Sequence, residues 1–192
     1  MIRLAVIGDI GSGKSYIAKQ FGYPVFNADL EVSQLYKKNR KCYFKLKKSL
    51  PKYITSFPIK RSKLSEAIVD NKKNLKKIIK IIHPEIRKKM NNFIKKNKYK
   101  KFVVLDIPLL IENKINKKND ILIFVNAKKK EINRRLRKRE NFNPKIVKIL
   151  KKFQLSIEIK KRKSDFTIEN NFNNYSAKKN VKRVLKRILK YA

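Results

Sequence analysis

The segment Gly8–Ser15, with the sequence GDIGSGKS, is the feature that most constrains how this chain can fold. It fits the pattern G-x-x-x-x-G-K-[S/T], and it holds three of the four glycines of the chain. Glycines at this density let the backbone curl tightly and direct its N–H groups at an anion. The apolar run 2–7 predicts a strand and residues 14–21 predict a helix, which is the context that a phosphate-binding loop requires. A glycine-rich turn without a ligand is the alternative. It is disfavoured because the predicted strand, the loop with its Lys-Ser pair and the predicted helix follow one another in the expected order.

Composition limits the class of protein. A chain of 192 residues, 42% of them hydrophobic, suits one domain with a small inserted subdomain. No apolar run is long enough to span a bilayer, so we expect no membrane partner. The chain enters the first predicted strand directly after Met1, so we expect no secretory leader. The lone Cys42 cannot form an internal disulfide, which favours a reducing compartment and predicts a cytoplasmic protein.

The formal net charge of +39 is extreme and by itself would indicate a nucleic-acid-binding protein. Lysine supplies most of it, and the lysines are spread along the chain rather than gathered in one arm or stripe. We therefore expect most of them to be solvated, with no specific nucleic-acid partner. The field should still attract anionic ligands, and it should attract RNA without specificity at low salt.

Short apolar runs alternate with helical patterns, which predicts an α/β fold with a parallel sheet and helices on both faces. The predicted strands are 2–7, 24–28, 102–107, 121–126 and 166–168. The predicted helices are 14–21, 30–48, 62–82, 85–96, 128–139, 144–163 and 176–190. The long helical stretch between the second and third strands predicts an inserted domain that covers a substrate.

The loop indicates nucleotide binding, because its amides and the start of the following helix can cradle a β-phosphate. Lys14 would reach the β- and γ-phosphates, and the Ser15 hydroxyl would bind Mg²⁺. The predicted ATP ligands in this segment are Gly11, Ser12, Gly13, Lys14, Ser15 and Tyr16. Loops of this type serve ATPases, GTPases and small-molecule kinases alike, so the loop alone does not identify the reaction.

Two carboxylates follow predicted strands, at the sheet edge where ligands of such folds bind. Asp29, in the segment Asn27-Ala28-Asp29, could accept a proton from an attacking hydroxyl or orient that hydroxyl. It could equally cap a helix that begins near Leu30, and spacing alone leaves both interpretations open. Asp106 ends an apolar strand in the manner of a carboxylate that holds Mg²⁺ or its waters, although a strand-end Asp is often only a turn residue.

Arginine is concentrated in one place in a chain that otherwise prefers lysine, at positions 134, 135, 137 and 139. The planar guanidinium suits phosphate oxygens in a way that an ammonium does not. On a helix, Arg135 and Arg139 share a face, so they could belong to a lid that closes over a triphosphate. A solvated basic face is the alternative for Arg134 and Arg137.

His83 is the only histidine of the chain, and it precedes Pro84, which we expect to start a helix. A single histidine in that setting favours a structural or capping role over acid–base chemistry. Neither zinc-site spacing nor a Ser-His-Asp set is visible in the sequence.

Taken in order, these segments resemble those of the dephospho-CoA kinase family over nearly the whole chain. The matching segments are GDIGSGKS, FGYPVFNAD, RSKLSE, IIHPEIR, DIPLLIEN, RRLRKR and SDFTIENN. The resemblance implies transfer of the γ-phosphate of ATP to the 3′-hydroxyl of dephospho-CoA, the last step of coenzyme A synthesis, with ATP and Mg²⁺ as cofactors. It also implies three parts: a nucleotide-binding core at 1–29, 102–127 and 164–192, a helical CoA domain at 30–101 and a lid at 128–163.

The resemblance also implies roles for individual residues. Those assigned to catalysis are Asp29 as the favoured general base, Lys14, and Arg135 of the lid. Asn170 joins the ATP site near the adenine, and Arg139 is assigned to the same site because it shares a helix face with Arg135 rather than through the resemblance. The substrate-side positions are Asp29, Arg61, His83, Leu109 and Glu112. The chain departs from the family pattern at Asn27, where the family has the first Asp of its Asp-Ala-Asp segment, and at Phe172, where a glycine is frequent.

Two other functions are weighed against this one. A kinase of the nucleoside monophosphate type would share the loop and lid but lack the Asp-Ala-Asp-like, His-Pro and Pro-Leu-Leu-x-Glu segments. A nucleic-acid-binding P-loop ATPase would account for the charge, yet the chain lacks basic motifs interleaved with aromatic residues. We therefore expect an enzyme whose partners are ATP and dephospho-CoA, present as a monomer or weak oligomer.

Overall fold

The structure, a computed structural model, describes residues 1–140 and 142–191. Asn141 and Ala192, which fall in the predicted lid and core, lie outside the described residues. Within those ranges, five strands form one parallel sheet in the order β2-β3-β1-β4-β5. The strands are β1 Ile2–Gly8, β2 Val25–Asn27, β3 Phe102–Asp106, β4 Ile121–Asn126 and β5 Phe166–Glu169. The predicted fold class, a parallel sheet of the P-loop type with helices, is confirmed.

The helices that the structure describes alternate with these strands or stand between β2 and β3. They are α1 Lys14–Gln20, α2 Ala28–Lys38, α3 Arg40–Ser49, α4 Arg61–Asp70, α5 Lys73–Lys96, α6 Lys129–Arg137, α7 Pro144–Lys151, α8 Ile157–Arg162 and α9 Asn174–Tyr191. In the described residues, no helix is both long and apolar enough to cross a bilayer.

The chain divides into two compact units. The sheet unit comprises Met1–Asn27, Asn97–Phe142 and Lys151–Ala192, and the helical unit comprises Ala28–Lys96 and Asn143–Leu150. The sheet unit therefore holds every described strand together with α1, α6, α8 and α9. The helical unit is built from α2 to α5 and nearly all of α7.

The core of the sheet unit explains why its strands read as continuous apolar runs. All of β3 and every residue of β1 after Ile2 are buried, as expected for strands covered on both faces. Alternate residues of the strands pack with α1 and α9 in one cluster that includes Leu4, Val6, Ile17, Phe102, Ile123, Val181 and Ile188. The carboxyl end of β1 leads directly into the glycine-rich loop, so this core positions the loop.

Three of the predicted helices are each interrupted, so those predictions are wrong: 30–48, 62–82 and 144–163. The first breaks at Asn39, whose Oδ1 accepts the Cys42 N–H at 2.8 Å and caps α3. Asn71 and Ser156 accept backbone N–H groups in the same way at the other two breaks. The apolar pattern continues across each break, but these side chains offer the backbone an alternative to helical hydrogen bonds.

Pro84 lies inside α5, so the expectation that it starts a helix is wrong as well. Proline has no N–H to donate to the Lys80 carbonyl, and in a helix interior it costs about 3 kcal/mol. The buried apolar side chains of α5 lie on both sides of it, at Leu75, Ile78, Ile82, Ile86 and Met90. Each of them contributes about 1.5–3 kcal/mol when fully buried, so together they outweigh the cost of the proline.

Candidate active site

The phosphate-binding loop requires its glycines for both backbone angle and space. Gly13 has φ +88°, and a Cβ added there would overlap the side-chain amide of Asn170. Gly11 has φ +85°, and its added Cβ would lie 2.9 Å from Leu136 Cγ on α6. Both angles fall in the left-handed region that glycine occupies at low cost. The loop is therefore shaped by close packing against α6 and the segment after β5, as well as by its own turn.

Lys14 and the serines supply the polar groups of the loop. Lys14 Nζ donates to the carbonyls of Asp9 at 2.7 Å and Gly8 at 3.3 Å, so the ammonium lies over the loop itself. Ser12 Oγ is buried and has no hydrogen-bond partner among the described residues. Ser15 is exposed in the first turn of α1, where the helix dipole favours negative charge. A cation, backbone amides, the buried Ser12 hydroxyl and the exposed Ser15 hydroxyl in one loop suit a phosphate group.

Asp106 ends β3 at the same sheet edge as the loop. Asp106 is 3% exposed, and its Oδ2 accepts a hydrogen bond from the side-chain amide of Asn27 at 2.5 Å. Asn27 stands opposite Asp106 in the register of β2 and β3, so the replacement of an expected Asp by Asn removes a like charge from this carboxylate.

A magnesium ion at this site would need oxygen ligands from the protein. Among the described residues, no cluster of three His, Cys, Asp or Glu side chains could hold a metal by itself. Mg²⁺ bound with a nucleotide needs no such cluster, because it takes one or two protein oxygens and completes its shell with phosphate and water. The Ser15 hydroxyl and the Asp106 carboxylate therefore fit the ion that the loop implies.

Asn170 and Phe172 pack beside the phosphate-binding loop. Asn170 is 3% exposed, and its Nδ2 donates to the Ser12 carbonyl at 2.8 Å while its Oδ1 accepts the Phe172 N–H at 3.0 Å. Arg135 lies over the ring of Phe172, with Cζ 4.6 Å from the ring centroid. The Asn170 amide thus stabilises the phosphate-binding loop by a hydrogen bond. The predicted position of Asn170 near the adenine stays a prediction.

Glu112 is held inside the sheet unit by two partners. Its Oε1 accepts the Leu155 N–H at 2.9 Å and pairs with Lys160 Nζ at 3.0 Å, and both side chains are almost fully buried. Leu109 and Glu112 line the same small cavity as Lys14. Glu112 therefore ties α8 to the segment after β3, and its predicted contact with substrate stays a prediction.

In the helical unit, Asp29 and Arg61 lie close together. Asp29 is the second residue of α2 and is exposed, and Arg61 Nη2 donates to its main-chain carbonyl at 3.1 Å. The helix begins at Ala28 rather than near Leu30, so Asp29 lies in the first turn and does not cap a later helix. Nearby Tyr36 is buried, and burial raises its pKa to about 12.

His83 lies in an open groove of about 640 Å³ along α5. Four cationic side chains line the groove with it: Lys80, Arg87, Lys88 and Lys95. Partial burial, and then the charge of Arg87, lower the pKa of His83 below its usual value, so the imidazole is neutral at pH 7. The groove is a positively charged surface of the helical unit.

The family of the chain follows from comparison with known proteins. The family model described as Dephospho-CoA kinase matches residues 2–176. A relative named Dephospho-CoA kinase from Wolbachia pipientis wMel is 34% identical over 171 residues, which are 86% of this chain and 87% of the relative. The chain belongs to the dephospho-CoA kinase family. As a member it is a kinase, that is, a phosphotransferase.

Solved structures share the fold of this member of the dephospho-CoA kinase family. The crystal structure of TT1252 from Thermus thermophilus superposes with a TM-score of 0.77 at 25% identity, covering 99% of this chain and 97% of that one. Dephospho-CoA kinase from Campylobacter jejuni gives a TM-score of 0.63 at 23% identity over 97% and 96% of the two chains, which shows the shared fold.

Within the sheet unit, the structure brings together many of the residues predicted for this dephospho-CoA kinase family member. The loop from Gly11 to Ser15, Asp106, Arg135 and Asn170 lie around the carboxyl end of the central strands. Tyr16 donates to Asn174 Oδ1 at 2.8 Å, at the start of α9. Arg139 is exposed just after α6, and no side-chain partner of it is found among the described residues.

Sequence reasoning missed two residues of this site. Lys160 is 3% exposed and pairs with Glu112, yet it stands in a run of basic residues where nothing distinguishes it from solvated neighbours. In the sequence, Phe172 stands out only because the family frequently has a glycine at this position. Its positive φ of 63° and its contact with Arg135 are visible only in the structure.

Proposed function

We propose that the chain catalyses ATP-dependent phosphorylation of the 3′-hydroxyl of dephospho-CoA, giving coenzyme A and ADP. The observation that carries this proposal is the family match over residues 2–176. The acceptor is therefore an alcohol group and the donor is ATP with Mg²⁺. The geometry of each unit supports one half of the reaction.

The sheet unit supplies groups for the triphosphate. The amides of the loop and Lys14 would bind the β- and γ-phosphates, and Ser15 and Asp106 would hold Mg²⁺. When bound, the ion neutralises charge on the phosphate oxygens. Arg135 would stabilise charge on the transferred group, because its planar guanidinium matches phosphate oxygens.

The helical unit supplies groups for the acceptor. The exposed carboxylate of Asp29 would orient the 3′-hydroxyl and accept its proton late, since the transition state of phosphoryl transfer is loose. Arg61 and the cationic groove along α5, which contains His83, would attract the phosphates of dephospho-CoA. Leu109 and Glu112 of the sheet unit would also contact the substrate.

The first experiment compares acceptors. Purified protein with ATP and Mg²⁺ is assayed by coupled ADP detection against dephospho-CoA, nucleoside monophosphates and shikimate. We expect turnover with dephospho-CoA well above that with any other acceptor. Comparable turnover with a nucleoside monophosphate, or ATP hydrolysis that depends on polynucleotide, would contradict the proposal.

The second experiment addresses Asp29. We expect Asp29→Asn to lose most of kcat while the Kd for ATP changes little, because the carboxylate acts on the acceptor. Glu31→Gln is the matched control, since Glu31 is the other acid in the first turn of α2 and pairs with Lys89 at 2.7 Å. A D29N enzyme with near-normal turnover removes Asp29 from the role of base.

A further inference from the structure

Phe172 contacts both the phosphate-binding loop and the arginine-rich helix α6. Its Cε1 lies 3.3 Å from the position of a Cβ added at Gly13, and the guanidinium of Arg135 lies over its ring at 4.6 Å. One aromatic side chain thus connects the loop to the arginine assigned to the transferred phosphate.

Asn170 sets the position of Phe172 relative to the loop. Its amide joins the Ser12 carbonyl to the Phe172 N–H through two hydrogen bonds, and it is buried. Phe172 itself has φ 63°, a left-handed backbone conformation that residues other than glycine, Asn and Asp seldom adopt. The ring is therefore directed by an unusual backbone conformation that the loop helps to hold.

A cation–π contact positions a guanidinium without a hydrogen-bond acceptor. A carboxylate partner would accept the N–H groups of arginine, whereas an aromatic ring attracts the charge and supplies no oxygen that competes with phosphate. In Arg134, by contrast, a carboxylate occupies a donor of the guanidinium, because Nη2 donates to Glu131 at 2.6 Å. In the part of the chain that the structure describes, Arg135 forms no ion pair.

We infer that Phe172 is a positioning residue that holds the Arg135 guanidinium beside the loop with its donors directed to the transferred phosphate. The inference rests on the proposed function, because it assumes that Arg135 acts on that phosphate. It assigns a role to the side chain that replaces the frequent glycine of the family at this position.

The test is a double-mutant cycle between the ring and the arginine. We expect Phe172→Leu to lower kcat between about twofold and about fivefold, the range of a cation–π contact at an exposed site. The Kd for ATP and the melting temperature should change little. Phe172→Tyr keeps the aromatic face and should retain kcat, and in an Arg135→Ala background Phe172→Leu should cause no further loss.

Phe166 provides the matched control, since Arg187 lies over its ring at 5.3 Å at the amino end of β5. Phe166→Leu removes the same kind of contact at the opposite end of the sheet and should leave kcat unchanged. Glycine adopts a positive φ without strain, so Phe172→Gly should fold and should reproduce the loss of kcat. This second variant ensures that a folding defect of Phe172→Leu does not decide the result.

The outcomes separate the inference from the proposed function. An unchanged kcat in both Phe172→Leu and Phe172→Gly while Arg135→Ala is impaired overturns the inference alone, as does an equal loss in the Arg135→Ala background. Wild-type turnover with an acceptor other than dephospho-CoA overturns the proposed acceptor, and the variants are then compared with that acceptor. An Arg135→Ala enzyme with normal kcat overturns the inference together with the role of Arg135.

Discussion

Gly13 and Gly22 form a natural pair for measuring what the phosphate-binding loop demands of its glycines. Both have a positive φ, +88° at Gly13 and +73° at Gly22, so alanine is strained at either position. They differ in their surroundings, since a Cβ at Gly22 has no atom within 4 Å while a Cβ at Gly13 overlaps the Asn170 amide. Substituting each by alanine therefore separates backbone strain from loss of space.

The expected costs follow from these surroundings. Left-handed backbone costs an L-residue about 1–2 kcal/mol, which is the whole expected destabilisation of Gly22→Ala. Gly13→Ala carries the same strain and also displaces Asn170, whose bond to the Ser12 carbonyl is buried. A buried polar group left unpaired costs about 1–3 kcal/mol, so the total for Gly13→Ala is about 2–5 kcal/mol.

Urea unfolding followed by circular dichroism would measure the two free energies of unfolding, and calorimetry with ATP and Mg²⁺ would measure binding. We expect Gly22→Ala to bind ATP as the wild type does and Gly13→Ala to bind it far more weakly, because the displaced amide distorts the loop. The reasoning is refuted if Gly13→Ala is no less stable than Gly22→Ala, or if it binds ATP with wild-type affinity.

Three further predictions concern stability. Asp120→Ala removes the ion-pair partner that lies 2.6 Å from the buried Arg3 and leaves it a long contact with the Ile115 carbonyl at 3.4 Å, which should cost about 3–5 kcal/mol in urea unfolding, and a cost below 1 kcal/mol would contradict it. Tyr36 has its pKa raised to about 12 by burial, so the folded state keeps a proton that the unfolded state loses above pH 10. Wild-type stability should therefore fall between about pH 10 and 12 relative to Tyr36→Phe, and parallel pH curves for the two proteins would exclude this contribution. Asn39→Ala removes the cap that accepts the Cys42 N–H and should destabilise the protein by about 1 kcal/mol, whereas an unchanged denaturation midpoint would show that the cap contributes nothing.

The strands of the sheet could be predicted because their signal is local. A run such as Phe102–Asp106 is buried along its whole length, and a parallel sheet covered on both faces requires that composition. The helix boundaries could not be predicted equally well. Asn39 and Asn71 lie within apolar patterns that continue on both sides, and nothing in the pattern shows that their side chains bond to the backbone.

In the candidate site as well, some residues could be predicted from the sequence and others could not. The loop was predictable because its glycines, Lys14 and Ser15 are neighbours in the sequence. The pair of Glu112 and Lys160 was not, because one lysine among 53 basic residues carries no mark of burial. The contact of Phe172 with Arg135 depends on the backbone at 170–172, which no single sequence reveals.

The scarcity of acids makes the remaining carboxylates informative. The chain has only 14 Asp and Glu residues against 53 Lys and Arg, and most of these acids have a hydrogen-bond or ion-pair partner in the described residues. Asp29, Glu85 and Glu140 are those whose carboxylates have no hydrogen-bond or ion-pair partner in residues 1–140 and 142–191. Of these three, only Asp29 follows a strand of the parallel sheet, two residues after β2 ends. Asp29 is exposed, and its carboxylate has no partner among the described residues although lysines are abundant in the chain, so we propose that this carboxylate is kept available to accept a proton.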